Sequence, residues 1–120
     1  VMGDLAFLHD AMSLGRGLRE KEADLQVIVV DDDGGAIFSH LEYARTTASG
    51  RFERFYTAPQ CASISALAAA LGARVHVPEG VAALQALLGE PVSGLSVIIW
   101  EVERRAGPEM LSPGRCRTHA

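Results

Sequence analysis

The sequence is short of cysteine, of aromatic residues and of positive charge, and it has no long apolar run. Each shortage removes a class of protein. The two cysteines, Cys61 and Cys116, stand far apart and lack the close paired spacing of a metal site. Neither a disulfide framework nor a cysteine-ligated metal is expected, and a reducing cytoplasm is the implied setting. No stretch approaches the roughly 18 to 20 apolar residues that cross a bilayer, and no secretory leader is recognisable, so no membrane span is expected. Fifteen acidic residues outweigh 11 basic ones, a net charge of −4 that speaks against a nucleic-acid partner. Aromatics make up 6% of a chain that is 48% hydrophobic, so aliphatic side chains and alanine must build the interior, which leans toward an α/β fold. At 120 residues the chain holds at most one domain.

What is present is organised around Val27-Ile-Val-Val-Asp31-Asp32-Asp33-Gly34-Gly35-Ala-Ile37-Phe38. Val27 to Val30 is β-branched with no polar alternation, the pattern of a parallel strand buried on both faces. Leu95 to Val102 is a second continuous apolar run, a central strand. Ala73 to Val77 is a shorter one, stopped by Pro78. The first residues, Val1-Met2-Gly3-Asp4, read as the end of a strand, so the sheet is expected to be truncated at its N-terminus. Between the strands, Leu5 to about Leu18 places Leu5, Leu8 and Met12 on one helical face, with Leu14 and Leu18 alongside. Ala36 to Tyr43 is a short helix with Ile37, Phe38 and Leu41 turned inward. Thr46 to Gly50 reads as a loop, and Arg51 to Tyr56 as irregular. Ser63 caps a helix from Ile64 to Leu71 that Gly72 closes. Val81 to Leu88 makes another, ended by Gly89 and Pro91. The string β-α-β-α-α-β-α-β implies right-handed crossovers and a three-layer, doubly wound parallel sheet over residues 1–104. Residues 105–120, rich in glycine and proline, read as a loose tail.

The carboxyl ends of parallel strands are where such sheets bind ligands. Three adjacent aspartates there repel one another unless solvent or a cation compensates. Asp4, 28 positions before Asp32, ends a neighbouring strand and begins a helix. Mg²⁺ takes six hard oxygen ligands and rarely receives all of them from protein. Asp4, Asp32 and the backbone carbonyl of Gly34 would supply three, and two phosphate oxygens and a water the rest. Gly34 suits this because it lacks a Cβ. The plain alternative is that Asp31 to Asp33 form a solvated turn capping the next helix. A receiver-type phosphoacceptor module also gathers acids at strand ends, but it needs a lysine on a later strand, and none follows Lys21.

Gly3-Asp4, followed at this interval by an acidic pair and glycine, resembles the Mg²⁺–diphosphate motif of thiamine-diphosphate enzymes. That motif usually reads Gly-Asp-Gly and then two asparagines; here Leu5 replaces the third glycine and Asp32 stands where asparagine is commoner. Gly3-Asp4-Leu5-Ala6-Phe7-Leu8-His9-Asp10 with Asp31 to Ser39 looks like the MenD family, the 2-succinyl-5-enolpyruvyl-6-hydroxy-3-cyclohexene-1-carboxylate synthases. The likeness runs to about Val102 and takes in Arg51 to Phe55, Pro59 and the helix from Ser63. It implies a partial pyrophosphate-binding domain of a carboligase that decarboxylates 2-oxoglutarate and adds the product to isochorismate. It implies thiamine diphosphate and Mg²⁺ as cofactors. Asp4, Asp32 and the Gly34 carbonyl would hold the metal, and amides near Leu5 and Ala6 the diphosphate. Ile37, Phe38 and Leu41 would wall the thiazolium, although core packing is the plainer role for Leu41. The glutamate that activates the cofactor comes, in this family, from another domain across a subunit interface. A homo-oligomer is therefore implied, no catalytic residue is assigned here, and the chain alone is expected to be inactive. An acetolactate synthase or 2-oxo acid decarboxylase is the nearest other enzyme reading.

His9, His40, His76 and His119 carry no metal-type spacing and read as structural or surface residues. Arg51 and Arg54 are placed either to meet a dicarboxylate or, more plainly, as solvated charges.

Overall fold

The computed structural model describes residues 1–103; the expected tail, with Cys116 and His119, lies outside the described residues. Two compact units are present, one made of Val1–Asp31 and Ala62–Glu101, the other containing Asp32–Cys61.

The first unit is a sheet of four strands, all parallel, in the order β1-β2-β4-β3: β1 (Met2–Gly3), β2 (Leu25–Asp31), β3 (Arg74–His76) and β4 (Leu95–Glu101). The apolar run at Leu95 is therefore an interior strand, as its pattern predicts, and Ser96 to Ile99 are all buried. Its partner β2 is more lopsided. Val27 and Val29 are buried, whereas Ile28 and Val30 are only half-buried, so the expectation that this strand is buried on both faces holds only in part.

On one face, Val27, Val29, Val97 and Ile99 meet Phe7 and Ala11 from α1 (Asp4–Asp10) and the turn after it, and Ile64 and Ala68 from α4 (Ile64–Ala70). The steps β1 to β2 and β2 to β3 run the same way along the sheet, and both helices lie on that face. The step from β3 to β4 runs back. A right-handed return carries α5 (Val81–Gly89) across the opposite face, which gives the doubly wound, three-layer arrangement. Of α5, Ala83, Leu84 and Leu87 are half-buried, and Val81 and Leu88 are exposed.

Helix ends follow the local chemistry. Ser63 Oγ accepts the Ala66 amide at 3.1 Å, and Gly72 closes α4 at φ +85°. The first helix is shorter than expected. It tightens into a 3₁₀ turn over Ala11–Leu14 and stops where Gly15 goes extended, its amide donating to the Met12 carbonyl at 3.0 Å. Because the helix begins at Asp4, its buried stripe is Asp4, Phe7 and Ala11. Leu5 and Leu8 flank that stripe half-buried, Met12 is 75% exposed and Leu18 is fully exposed, which corrects the expected face.

The second unit is more helical than its sequence suggests. Ala36–His40 is a 3₁₀ turn; α2 (Tyr43–Thr46) and α3 (Ser49–Phe52) replace the expected loop, and α3 continues into a π turn over Glu53–Thr57. Phe52 is buried and stacks on Tyr56, centroids 5.2 Å apart, while Phe38 meets Tyr56 edge-on at 6.1 Å. These ring pairs stand in for an aliphatic core in a segment with few aliphatic residues. Ile37 is 69% exposed and Leu41 44% exposed, so neither is turned inward as expected.

Candidate functional site

Gly3 is extended, at φ −79° and ψ 166°, and Asp4 opens α1. The Asp4 carboxylate lies at a strand–helix junction and is nonetheless buried, 6% exposed, with Oδ1 accepting the Leu5 amide at 2.8 Å. Burying a carboxylate is costly unless hydrogen bonds or a charge partner offset it.

Gly3 is in register with Val30 on the neighbouring strand. Past that pair the first chain turns into α1 at Asp4, while β2 runs one residue further to Asp31, so both segments reach an aspartate at the carboxyl end of the sheet. Asp32 follows Asp31 by a single peptide bond. Among the described residues no group of three or more His, Cys, Asp or Glu side chains forms a ready metal set; the expected shell has two carboxylates and a carbonyl, with the remaining oxygens supplied by a ligand and water.

In the second unit the backbone after Asp32 is tightly wound. Asp33 takes a left-handed φ of +61° and Gly34 a φ of +112°. Aspartate tolerates the first; the second is glycine territory. Gly35, at φ −85° and ψ 59°, makes an inverse γ-turn, with the Ala36 amide donating to the Gly34 carbonyl at 3.1 Å. The Gly35 amide donates to the Thr57 carbonyl at 2.7 Å. A Cβ on Gly34 would come within 2.1 Å of that same carbonyl oxygen, and one on Gly35 within 2.7 Å of the Tyr56 carbonyl. The paired glycines are there because backbone presses against backbone.

Ile37 and Phe38 follow directly, with Phe38 37% exposed. An exposed isoleucine on a short turn is an apolar surface with no core role. His9, His40, Arg51, Arg54 and Cys61 are exposed, and His76 is half-buried on the edge strand β3; Arg54 lies over the Phe55 ring at 5.2 Å. Thr57 and Glu53, which hold the glycine turn, carried no signal in the sequence beyond standing just ahead of Pro59.

No family model matches the chain. Individual proteins do. The chain is 39% identical over 108 residues to the 2-succinyl-5-enolpyruvyl-6-hydroxy-3-cyclohexene-1-carboxylate synthase of Paenarthrobacter aurescens, covering 87% of this chain and 19% of that protein. It is 44% identical over 99 residues to the synthase of the same name from Kineococcus radiotolerans, and 42% identical over 100 residues to that from Rhodococcus erythropolis, each covering 82% of this chain and 18% of the relative. The chain is homologous to one segment of the MenD synthases. It spans about a fifth of the length of the curated MenD relatives it matches. The matches cover most of this chain, as the likeness in Gly3 to Asp10 and Asp31 to Ser39 implied, and the MenD relatives are named as synthases. Among the described residues no helix is long and apolar enough to cross a membrane.

Proposed function

We propose that this chain supplies the Mg²⁺- and diphosphate-binding part of a cytoplasmic, thiamine-diphosphate-dependent carboligase of the MenD type, one that decarboxylates 2-oxoglutarate and joins the product to isochorismate. The observation that carries the reading is the buried carboxylate of Asp4 at the end of β1, in register with the strand that leads into Asp31 and Asp32, in a chain homologous to the MenD synthases.

The residues fit the group. Asp4 and Asp32 offer hard anionic oxygens, the donors Mg²⁺ prefers, and Gly34 offers a carbonyl from a turn that a side chain would obstruct. Of the two amides expected at the diphosphate, Leu5's serves the Asp4 carboxylate, and the diphosphate falls to Ala6. When bound, thiamine diphosphate supplies the carbanion-stabilising chemistry of the reaction. Asp4, Asp32 and Gly34 hold the metal that neutralises the diphosphate, and Ile37 and Phe38 present an apolar wall that excludes water from the reacting end. Phe38 is braced for this by Tyr56. The activating glutamate is assigned to no residue of this chain; the family resemblance places it across a subunit interface in a homo-oligomer.

Calorimetric titration of thiamine diphosphate into the protein at its native length, with and without Mg²⁺, tests the reading. Binding that requires Mg²⁺ and is lost in Asp4→Ala is expected. Unaltered Mg²⁺-dependent binding by Asp4→Ala removes Asp4 from the site. Turnover of pyruvate-type substrates in place of 2-oxoglutarate and isochorismate would move the protein to the acetolactate synthase or decarboxylase type.

A further inference from the structure

The direction of the Gly34 carbonyl is held from two sides, by its own turn and by the π turn. The Gly34 carbonyl and the Gly35 amide belong to one peptide plane, and among the described residues no peptide bond is cis, so the two point in opposite directions. The Gly35 amide is committed to the Thr57 carbonyl at 2.7 Å. That bond aims the Gly34 oxygen away from the π turn. The Ala36 amide donates to that oxygen at 3.1 Å from within the turn.

Thr57 is itself fixed from two sides. It is fully buried, and its hydroxyl lies 2.8 Å from Glu53 Oε2 and 3.0 Å from the Glu53 carbonyl, sharing its one hydrogen between them. The same Glu53 carbonyl receives the Ala58 amide at 2.8 Å, the bond that closes the π turn, after which Ala58 turns left-handed at φ +42°. Isolated π turns are rare and recur at functional sites. Thr57 is the last residue of that turn, so its carbonyl lies beyond the helical ladder and accepts the Gly35 amide.

We infer that Thr57 is a positioning residue for the metal site: with Glu53 behind it, it sets the direction of the Gly34 carbonyl and thereby the strength with which a divalent cation is held beside a diphosphate. The inference rests on the metal-binding reading of Asp4, Asp32 and Gly34. Thr57 touches neither metal nor cofactor in this scheme; it acts through the Gly35 amide.

The test uses the protein at its native length, Mn²⁺ as a paramagnetic stand-in for Mg²⁺, and thiamine diphosphate. Bound Mn²⁺ is read from loss of the free-ion resonance signal, and exchange of the Gly35 amide is followed in parallel. Thr57→Val keeps the volume and the carbonyl but removes the hydroxyl, and is expected to weaken Mn²⁺ about tenfold, the lower end of what losing a supporting partner costs a metal site. Thr57→Ser keeps the hydroxyl and is expected to bind within about twofold of the parent. By reciprocity, a bond that favours metal binding must be favoured by it, so Gly35 exchange in the parent slows when Mn²⁺ and thiamine diphosphate are added. This last measurement decides the matter should Thr57→Val fail to fold. Equal Mn²⁺ affinity in Thr57→Val and the parent, or unchanged Gly35 exchange on binding, overturns the inference while Asp4→Ala still reports on the site itself. A parent protein that takes up no Mn²⁺ with thiamine diphosphate overturns both.

Discussion

Replacing Gly34 by alanine puts a methyl group where the structure has none to spare. An ideal Cβ there lies 2.1 Å from the Thr57 carbonyl oxygen, 3.1 Å from its carbon and 3.3 Å from the Pro59 nitrogen, all of them backbone atoms that cannot swing aside. The φ of +112° is itself strained for any L-residue, at roughly 1–3 kcal/mol. Relieving the overlap means moving the Thr57 backbone and giving up the Gly35–Thr57 hydrogen bond, a further loss of about 0.5–1.5 kcal/mol before any disturbance of the packing around Thr57. A destabilisation of about 3 kcal/mol follows. For a domain of this size that lowers the thermal midpoint by roughly 12 to 24 °C. Gly72→Ala is the control, since Gly72 also has a positive φ, +85°, but nothing lies within 4 Å of its Cβ. It carries the backbone term alone, roughly 1–2 kcal/mol. Thermal unfolding followed by circular dichroism compares the two. Equal shifts for Gly34→Ala and Gly72→Ala would refute the reasoning, because the contact with Thr57 would then contribute nothing.

Other substitutions separate stability from the proposed site. Ser63→Ala removes the side-chain cap on the Ala66 amide and is expected to cost about 1 kcal/mol in urea unfolding. Phe7→Ala empties a position only 1% exposed in the core under α1; a loss of roughly 3–5 kcal/mol, a large share of a typical domain's stability, should appear as a much lower urea midpoint. Ile37→Ser alters a residue 69% exposed and should leave unfolding within about 0.5 kcal/mol of the parent, while weakening thiamine diphosphate binding in calorimetry. A large stability loss in Ile37→Ser would show that Ile37 is a packing residue.

How far the molecule could be read in advance depended on which atoms carry each feature. The strands β2 and β4 were legible because apolar β-branched runs have few other uses, and Ser63 and Gly72 because helix ends are chemically distinctive. The parallel course of β1 and β2 was legible too, since a strand–helix–strand string implies it. The rotation of α1 was not. Leucine spacing pointed to Leu5, Leu8 and Met12, but the helix starts at Asp4 and commits Phe7 and Ala11 to the core instead. Ile37 was read as buried because it is apolar, whereas the short turn over Ala36–His40 leaves it outside. Thr57 was invisible for a deeper reason: its contribution is a main-chain carbonyl at the end of a helical turn, and side-chain patterns do not encode what such a carbonyl meets.

The strand order has a consequence for how the protein is made. Leu25 of β2 finds its partner in Leu95 of β4, and Asp24 locks to Gly94 across 70 positions. As the chain leaves the ribosome, β2 and β3 must wait with open edges until β4 emerges and slots between them. During that interval the edge of Val27 to Val30 that β4 will cover is unpaired, exposed to misassociation in a way the finished sheet is not.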